Sequence, residues 1–340
     1  MRGKTRRSGA RRTKAFEARK ASSGIAVRAK LRATGIAAGI VLALGIAGAT
    51  TPGAVAAPGR GASASASGTV TALFAGSLLN YMEHDFGPSF AKVSGFGYQG
   101  FGGGSTEVAA EIKGGVRQGD VFISAAAAAD NLLEGSANGS WVSWYTTFAA
   151  SPLMLAYNPS SSFGKQLAEG KPWYQVLTEP GILVGRTDPK LDPKGVLTVE
   201  AVENAASKLK DPALSTALSS FPVYPETALV GRLQSGQLDA GFFYAVEASS
   251  AKLSTVSLTP VYKVADYTLT ILNKAPNPSG AAAFVRYLLN AQRSYTLKKN
   301  GLTALKPMFS GKVASVPASL RTLVGATKPA RANAKQPKKK

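Results

Sequence analysis

Two serines stand where they could hold an anion. Thr71-Ala-Leu-Phe-Ala-Gly-Ser77 is a short apolar run that stops at a small turn. After Ser77, Leu78, Leu79, Met82, Phe86 and Phe90 recur at helical spacing. A strand that feeds a helix through Gly-Ser leaves backbone N–H groups free and sets a hydroxyl donor beside them, at the positive end of the helix dipole. The device returns at Phe101-Gly-Gly-Gly-Ser105, ahead of the helical segment Thr106–Lys113. Two such mouths early in one chain predict a pocket for a small oxyanion. Either serine alone is equally suited to capping its helix.

Little else in the composition could do chemistry. The 340 residues include no cysteine and one histidine, His84. This excludes disulfides, thiolate metal sites and redox pairs, and argues against histidine-based catalysis. No nucleophile–base set is evident, so the chain reads as a binding protein rather than an enzyme, with no cofactor. His84 lies in a helical pattern without partners and reads as a surface residue. Gly100–Gly104 lacks the spacing of a dinucleotide fingerprint. The net charge of +21 resembles a nucleic-acid signal, but its distribution does not. Residues 1–57 hold 12 basic residues against Glu17, and residues 328–340 hold six against none. Between them, 22 basic residues face 18 acidic ones. The basicity belongs to two tails, and the nearly balanced body is expected to bind no nucleic acid.

The elements that must position the serines follow from the pattern. Residues 1–32 are basic, Gly35–Gly48 is apolar, and Ala54-Val-Ala56 suits cleavage, so 1–57 reads as a signal peptide, with an N-terminal anchor as the alternative. Either places the body outside the cytoplasmic membrane, secreted or on its outer face. Residues 58–68 form a Gly/Ser/Ala linker. From Thr69 onward strands and helices alternate, which predicts an α/β fold with largely parallel sheets. The predicted strands are Val70–Phe74, Gly97–Phe101, Asp120–Ser124, Leu153–Asn158, Leu183–Arg186, Ala240–Tyr244 and Asp266–Ile271. Helices are predicted over Leu78–Val93, Thr106–Lys113, Trp173–Leu177, Val196–Lys210, Thr227–Ser235 and Gly280–Leu289. Ser151–Tyr157 and Gly241–Val246 read as crossings between two blocks. One lobe is then 69–150 plus 245–325, the other is 151–244, and the two crossings form a hinge able to close on a ligand. Residues 326–340 are expected to be a basic, disordered tail.

At Phe74-Ala-Gly-Ser-Leu78, Gly103-Gly-Ser-Thr106, Gly119-Asp-Val-Phe-Ile-Ser124, Trp144–Phe148, Met154-Leu-Ala-Tyr157, Gly185–Gly195 and Pro225–Tyr244, the chain resembles a known family. It is similar to the substrate-binding proteins of ABC importers for molybdate and tungstate, in particular the tungstate-type branch. The order and spacing of these segments carry the resemblance. It implies a two-lobe type II periplasmic-binding-protein fold with two crossing strands as hinge. It also implies that Ser77 and Ser105 hydrogen-bond the oxyanion and that Tyr244 faces it. The tungstate-type members add an Asp before Pro-x-Gly and a Glu opening a helix, which match Asp192 and Glu226.

Those two carboxylates need a physical reason, because they repel a dianion. Sulfate and phosphate have no vacant coordination position to accept them. A hexavalent molybdenum or tungsten centre favours oxygen donors and can expand from four to six of them. Asp192 and Glu226 then become ligands of the metal in the bound oxyanion rather than neighbours of it. Helix-start N–H groups, the serines and Lys194 would offset the remaining charge. Singly, Asp192 before Pro193 is ordinary turn chemistry, Glu226 suits a first helical turn, and Tyr244 suits a core. Arg186 reads as part of a surface or hinge salt bridge. The resemblance implies a monomer that delivers molybdate or tungstate to an ABC permease in the cytoplasmic membrane. The alternative is the same fold serving sulfate, phosphate or an organic acid. The nearly equal radii and charges of molybdate and tungstate leave their ranking open.

Overall fold

The apolar run ahead of Ser77 forms a strand with Val70, Ala72, Leu73, Phe74 and Ala75 all buried, as expected of a strand covered on both faces. It is β1 (Thr69–Ala75) in a computed structural model that describes residues 68–290 and 293–327. The readings of 1–57 as a leader and of the basic tail beyond 327 lie outside the described residues, as does all of the linker but Gly68. Among the described residues, no helix is long and apolar enough to cross a membrane.

Eight further strands follow: β2 (Gly97–Gly103), β3 (Val121–Ser124), β4 (Trp144–Tyr157), β5 (Val184–Gly185), β6 (Ala240–Tyr244), β7 (Ser254–Ser257), β8 (Val264–Ile271) and β9 (Thr303–Gly311). They pair in the order β2-β1-β3-β8-β4-β6-β5, with β7 and β9 also on β4. The sheets are not largely parallel, which corrects the expectation. β1 pairs in parallel with β2 and β3, and β5 with β6, but every pairing of β4 and β8 is antiparallel. The reason is one reversal of direction. The first four strands run one way and the last five the other, and the returning strands insert beside β3 and β4. Alternating strands and helices signal parallel crossovers within each group but carry no sign of this reversal.

The 14-residue β4 belongs to two sheet regions. Its first part, to Pro152, pairs with β8 and β9, while Leu153–Tyr157 pairs with β6 and β7. At the change-over, the buried Ser151 hydroxyl donates to the Gly301 carbonyl at 3.1 Å and accepts from the Val246 N–H at 3.0 Å. Ser254–Ser257 pairs with the end of β4, as β6 does. Sequence reasoning missed the first half of β4, β7 and β9, and the helices Pro212–Ser220 and Ala245–Ser250. Outside the sheet, Phe86 and Phe90 meet Phe284 edge-on at 4.9 and 5.3 Å, which seats the helix Pro278–Leu288 against the segment that follows Ser77.

Candidate functional site

Parallel pairing of β1 and β2 sets Ala75 opposite Gly103, so the turns into Ser77 and Ser105 open side by side at the carboxyl ends of neighbouring strands. Ligands of open α/β sheets gather at such ends. Both serines are buried, and neither caps its helix. The cap positions are Ala75 and Gly104, and neither serine lies outside the first turn. Their hydroxyls are held by other groups. Ser105 Oγ accepts from the Ala125 N–H at 3.0 Å, which leaves its own proton free to donate. Ser77 Oγ lies 2.8 Å from Tyr267 OH on β8. With the phenol donating, the Ser77 proton is also free.

Behind this wall sits Asp130, fully buried. Thr268 donates to its Oδ2 at 2.5 Å, and Ser124 lies 3.1 Å from the same oxygen. Ser124 also receives the Ala126 N–H at 3.3 Å, which pins the turn that aims Ala125 at Ser105. Burial pushes the Asp130 carboxyl up to about 7, against the opposing pull of these hydroxyls.

The opposite wall is charged. Asp192 caps the helix Pro193–Leu209, its Oδ1 accepting from the Lys194 N–H at 3.1 Å, with Pro193 at the first helical position. Gly195 is required in that first turn, since a Cβ there would lie 2.6 Å from the Pro189 nitrogen. Asp192 Oδ2 is buried with no hydrogen-bond partner among the described residues, and so are Glu226 Oε2 and Tyr244 OH. Lys194 is fully buried. Its Nζ donates to Glu226 Oε1 at 3.1 Å and to Glu247 at 3.1 and 2.8 Å. Burial alone would lower the lysine, but Glu226, Glu247 and Asp192 outweigh it and hold the ammonium above its ordinary range. Burial raises all three carboxyls, Glu226 most clearly, and raises the Tyr244 and Tyr267 phenols with help from the nearby carboxylates.

The two walls touch. A Cβ on Gly76 would lie 1.6 Å from Glu226 Oε2, and one on Gly104 would lie 2.5 Å from the Leu191 carbonyl. Glycine at both mouths is what lets the charged wall approach. The Glu107 N–H closes the contact by donating to the Leu191 carbonyl at 2.9 Å. Two cavities of about 180 Å³ flank Glu226, one reaching Asp192 and Thr187, the other Ser77 and Glu247. The Tyr244 ring meets Tyr267 edge-on at 6.1 Å, and so joins the Ser77 side to the carboxylates. Of the five residues named from the sequence, Ser77, Asp192 and Glu226 line these two cavities, and the buried Ser105 and Tyr244 line neither.

Sequence reasoning missed three residues in or behind these walls. Tyr267 sat in a predicted strand with no motif to mark it, and Glu247 sat in an unpredicted helix. Asp130 followed an alanine run that carried no signal. His84 is exposed, as read. Arg186 makes no ion pair among the described residues, and its guanidinium rests 3.5 Å from the Thr187 carbonyl.

Residues 70–303 match the model of a family described as bacterial extracellular solute-binding protein. The chain belongs to that family. This solute-binding protein is 34% identical over 149 residues to a Haloferax volcanii protein named as an ABC transporter molybdenum-binding protein, an alignment covering 44% of this chain and 46% of that one. It is 22% identical over 236 residues to the molybdate/tungstate-binding protein WtpA of Thermococcus kodakarensis, covering 54% and 66%. The match thus spans about half the length of the first relative and just under two thirds of the second. Among solved structures, the periplasmic molybdate-binding protein of Azotobacter vinelandii superposes with a TM-score of 0.56 at 21% identity, covering 70% of this chain and all of that one. That likeness carries the fold, a type II periplasmic binding protein with a curled mixed sheet.

Proposed function

We propose that this extracellular solute-binding protein captures molybdate or tungstate between two lobes and delivers it to an ABC permease, on the outer side of the cytoplasmic membrane and without catalysing a reaction. The lobes are built on the two regions that share β4, and the hinge runs through the Ser151 change-over and the end of β6. Ser77, Ser105 and Tyr244 donate to the oxyanion, while Asp192 and Glu226 bind its metal.

The observation that carries this reading is the pair of buried carboxylates, each with one oxygen lacking a hydrogen-bond partner among the described residues, with Glu226 lining both the cavity of Asp192 and the cavity of Ser77. Such oxygens are costly to bury near a dianion unless they gain a bond to it. A metal that expands its coordination offers that bond, and sulfur or phosphorus does not. The names of the Haloferax and Thermococcus relatives point the same way.

Titration calorimetry on the purified protein with tungstate, molybdate and sulfate, paired with small-angle scattering, tests the reading. Tight heats with the two metal oxyanions, weak heats with sulfate and compaction on binding are expected. Equal affinities for sulfate and tungstate would favour a purely hydrogen-bonded anion site.

A further inference from the structure

We infer that Lys194 is itself an anion-binding group, and that Glu247 is the positioning residue that holds its ammonium at the cleft. The entering oxyanion takes over the hydrogen bond that Lys194 now gives Glu226 Oε1, while Glu226 meets the metal through Oε2, which has no hydrogen-bond partner among the described residues. This rests on the oxyanion reading of the same site.

Three observations carry it. First, Lys194 is fully buried, and its Nζ is shared between partners on two different elements, Glu226 before the helix Leu229–Gln234 and Glu247 in the helix Ala245–Ser250. The two oxygens of Glu247 hold it at 3.1 and 2.8 Å, whereas Glu226 takes one bond of 3.1 Å. The bidentate partner is the anchor and the single bond is the exchangeable one. Second, Glu226 and Glu247 both line the cavity that also contains Ser77, and the ammonium lies 6.0 Å from the Tyr244 ring. The cation thus lies beside two groups assigned to the ligand, Glu226 and Tyr244, with the Phe243 ring at 5.4 Å completing its surroundings. Third, Lys194 is the one cation among the described residues that acts on Asp192, Glu226 and Glu247 together, so it is the group placed to oppose the charge of a dianion arriving beside them. An ion pair with a purely structural purpose needs one carboxylate, and apolar residues often serve such a position as well.

Lys194 and Glu226 then do different work. The ammonium attracts any dianion, and the carboxylate chooses the metal.

The test measures tungstate and sulfate binding by the full chain with Lys194→Met, Glu247→Gln and the double variant. Lys194→Met is expected to weaken both anions by similar factors, about 10- to 100-fold, as for loss of one hydrogen bond between charged groups. Lys194→Gln, which keeps donors toward both carboxylates, stands in if the methionine variant does not fold. Glu247→Gln is expected to weaken binding by several-fold when Lys194 is present and to have no effect when it is Met. A purely structural role for Glu247 gives the same loss in both backgrounds and overturns the positioning claim. Unchanged or tighter binding by the Lys194 variants overturns the inference while the proposed function stands. If the unaltered protein binds neither anion, both readings fall.

Discussion

On the wall built from β1, β2 and β3, Ser77 and Ser105 are neutral donors held by a phenol and a backbone amide, at strand ends fixed by seven consecutive paired residues. On the facing wall, Asp192, Glu226, Glu247 and Lys194 are charged, buried and held mostly by one another. The first wall is set by backbone register and stays in place whatever the cleft contains. The second is a balance of opposing charges in a poorly solvated space, where adding or removing one partner redistributes the rest. A binding protein with this asymmetry can present rigid donors on one side and adjust its charges on the other.

The largest expected effect tests whether the neutral wall is as free of charge as its serines suggest. Asp130 stands behind it with a carboxyl raised to about 7. A carboxyl raised on folding binds its proton more tightly in the native state, so its contribution is full below the unfolded value near 4 and is lost as pH rises to about 7. The shift corresponds to roughly 4 kcal/mol at most. Asp130→Asn keeps an acceptor for Thr268 and removes the titration. Urea unfolding at pH 4 and pH 8 should show the unaltered protein losing more stability than the variant across that range. Equal losses would mean that folding leaves the Asp130 carboxyl at its ordinary value and that the wall tolerates a buried charge at pH 8.

The next contrast sets one wall against the other. Ser105→Ala removes a neutral donor and should cost roughly 1.5–3 kcal/mol of binding, one to two decades, for tungstate and sulfate alike. Asp192→Asn keeps the helix cap, because asparagine caps as well as aspartate. As a metal ligand Asp192 is needed for tungstate alone, so the variant should weaken tungstate and leave sulfate no weaker. If both anions bind more tightly, Asp192 is a nearby charge and not a ligand. Calorimetry gives the sign directly.

The two walls were also unequally legible. The neutral one could be read from short local patterns: an apolar strand, a glycine turn, a serine, a helix. Those residues are adjacent in sequence, and the strand pairing only sets them side by side. Asp192 and Glu226 were found through a resemblance whose physical sense lay in the coordination chemistry of the ligand. Glu247 was not found at all. It reaches Lys194 across 53 positions of chain, from a six-residue helix that periodicity cannot detect. Tyr267 reaches Ser77 across 190 positions. The Tyr267 contact depends on the reversal of strand direction after β4, which brings β8 beside β3, whereas the Glu247 contact depends on the parallel pairing of β5 and β6, after which Lys194 and Glu247 follow; local pattern encodes neither. The unpredicted strand Ser254–Ser257 has its partner on β4 set by that reversal.

The smallest expected effect lies where the walls are joined. Tyr267 touches Ser77 with its hydroxyl and Tyr244 with its ring, so it belongs to the neutral wall by hydrogen bond and to the charged wall by contact. Tyr267→Phe keeps the ring and deletes the hydroxyl. If the phenol serves to accept the burden of fixing Ser77 so that the serine proton points at the anion, the loss is one neutral hydrogen bond, about 0.5–1.5 kcal/mol. That loss should appear in tungstate affinity and be absent once Ser77 is alanine, because there is then no hydroxyl to orient. The Ser77→Ala and Tyr267→Phe cycle, read by calorimetry with melting curves as a folding control, separates this from a general loosening of β8. A Tyr267→Phe effect that persists in full without the serine would place the phenol's contribution on the anion or on the carboxylates. The division into a neutral and a charged wall would then have to be redrawn with Tyr267 on the ligand itself.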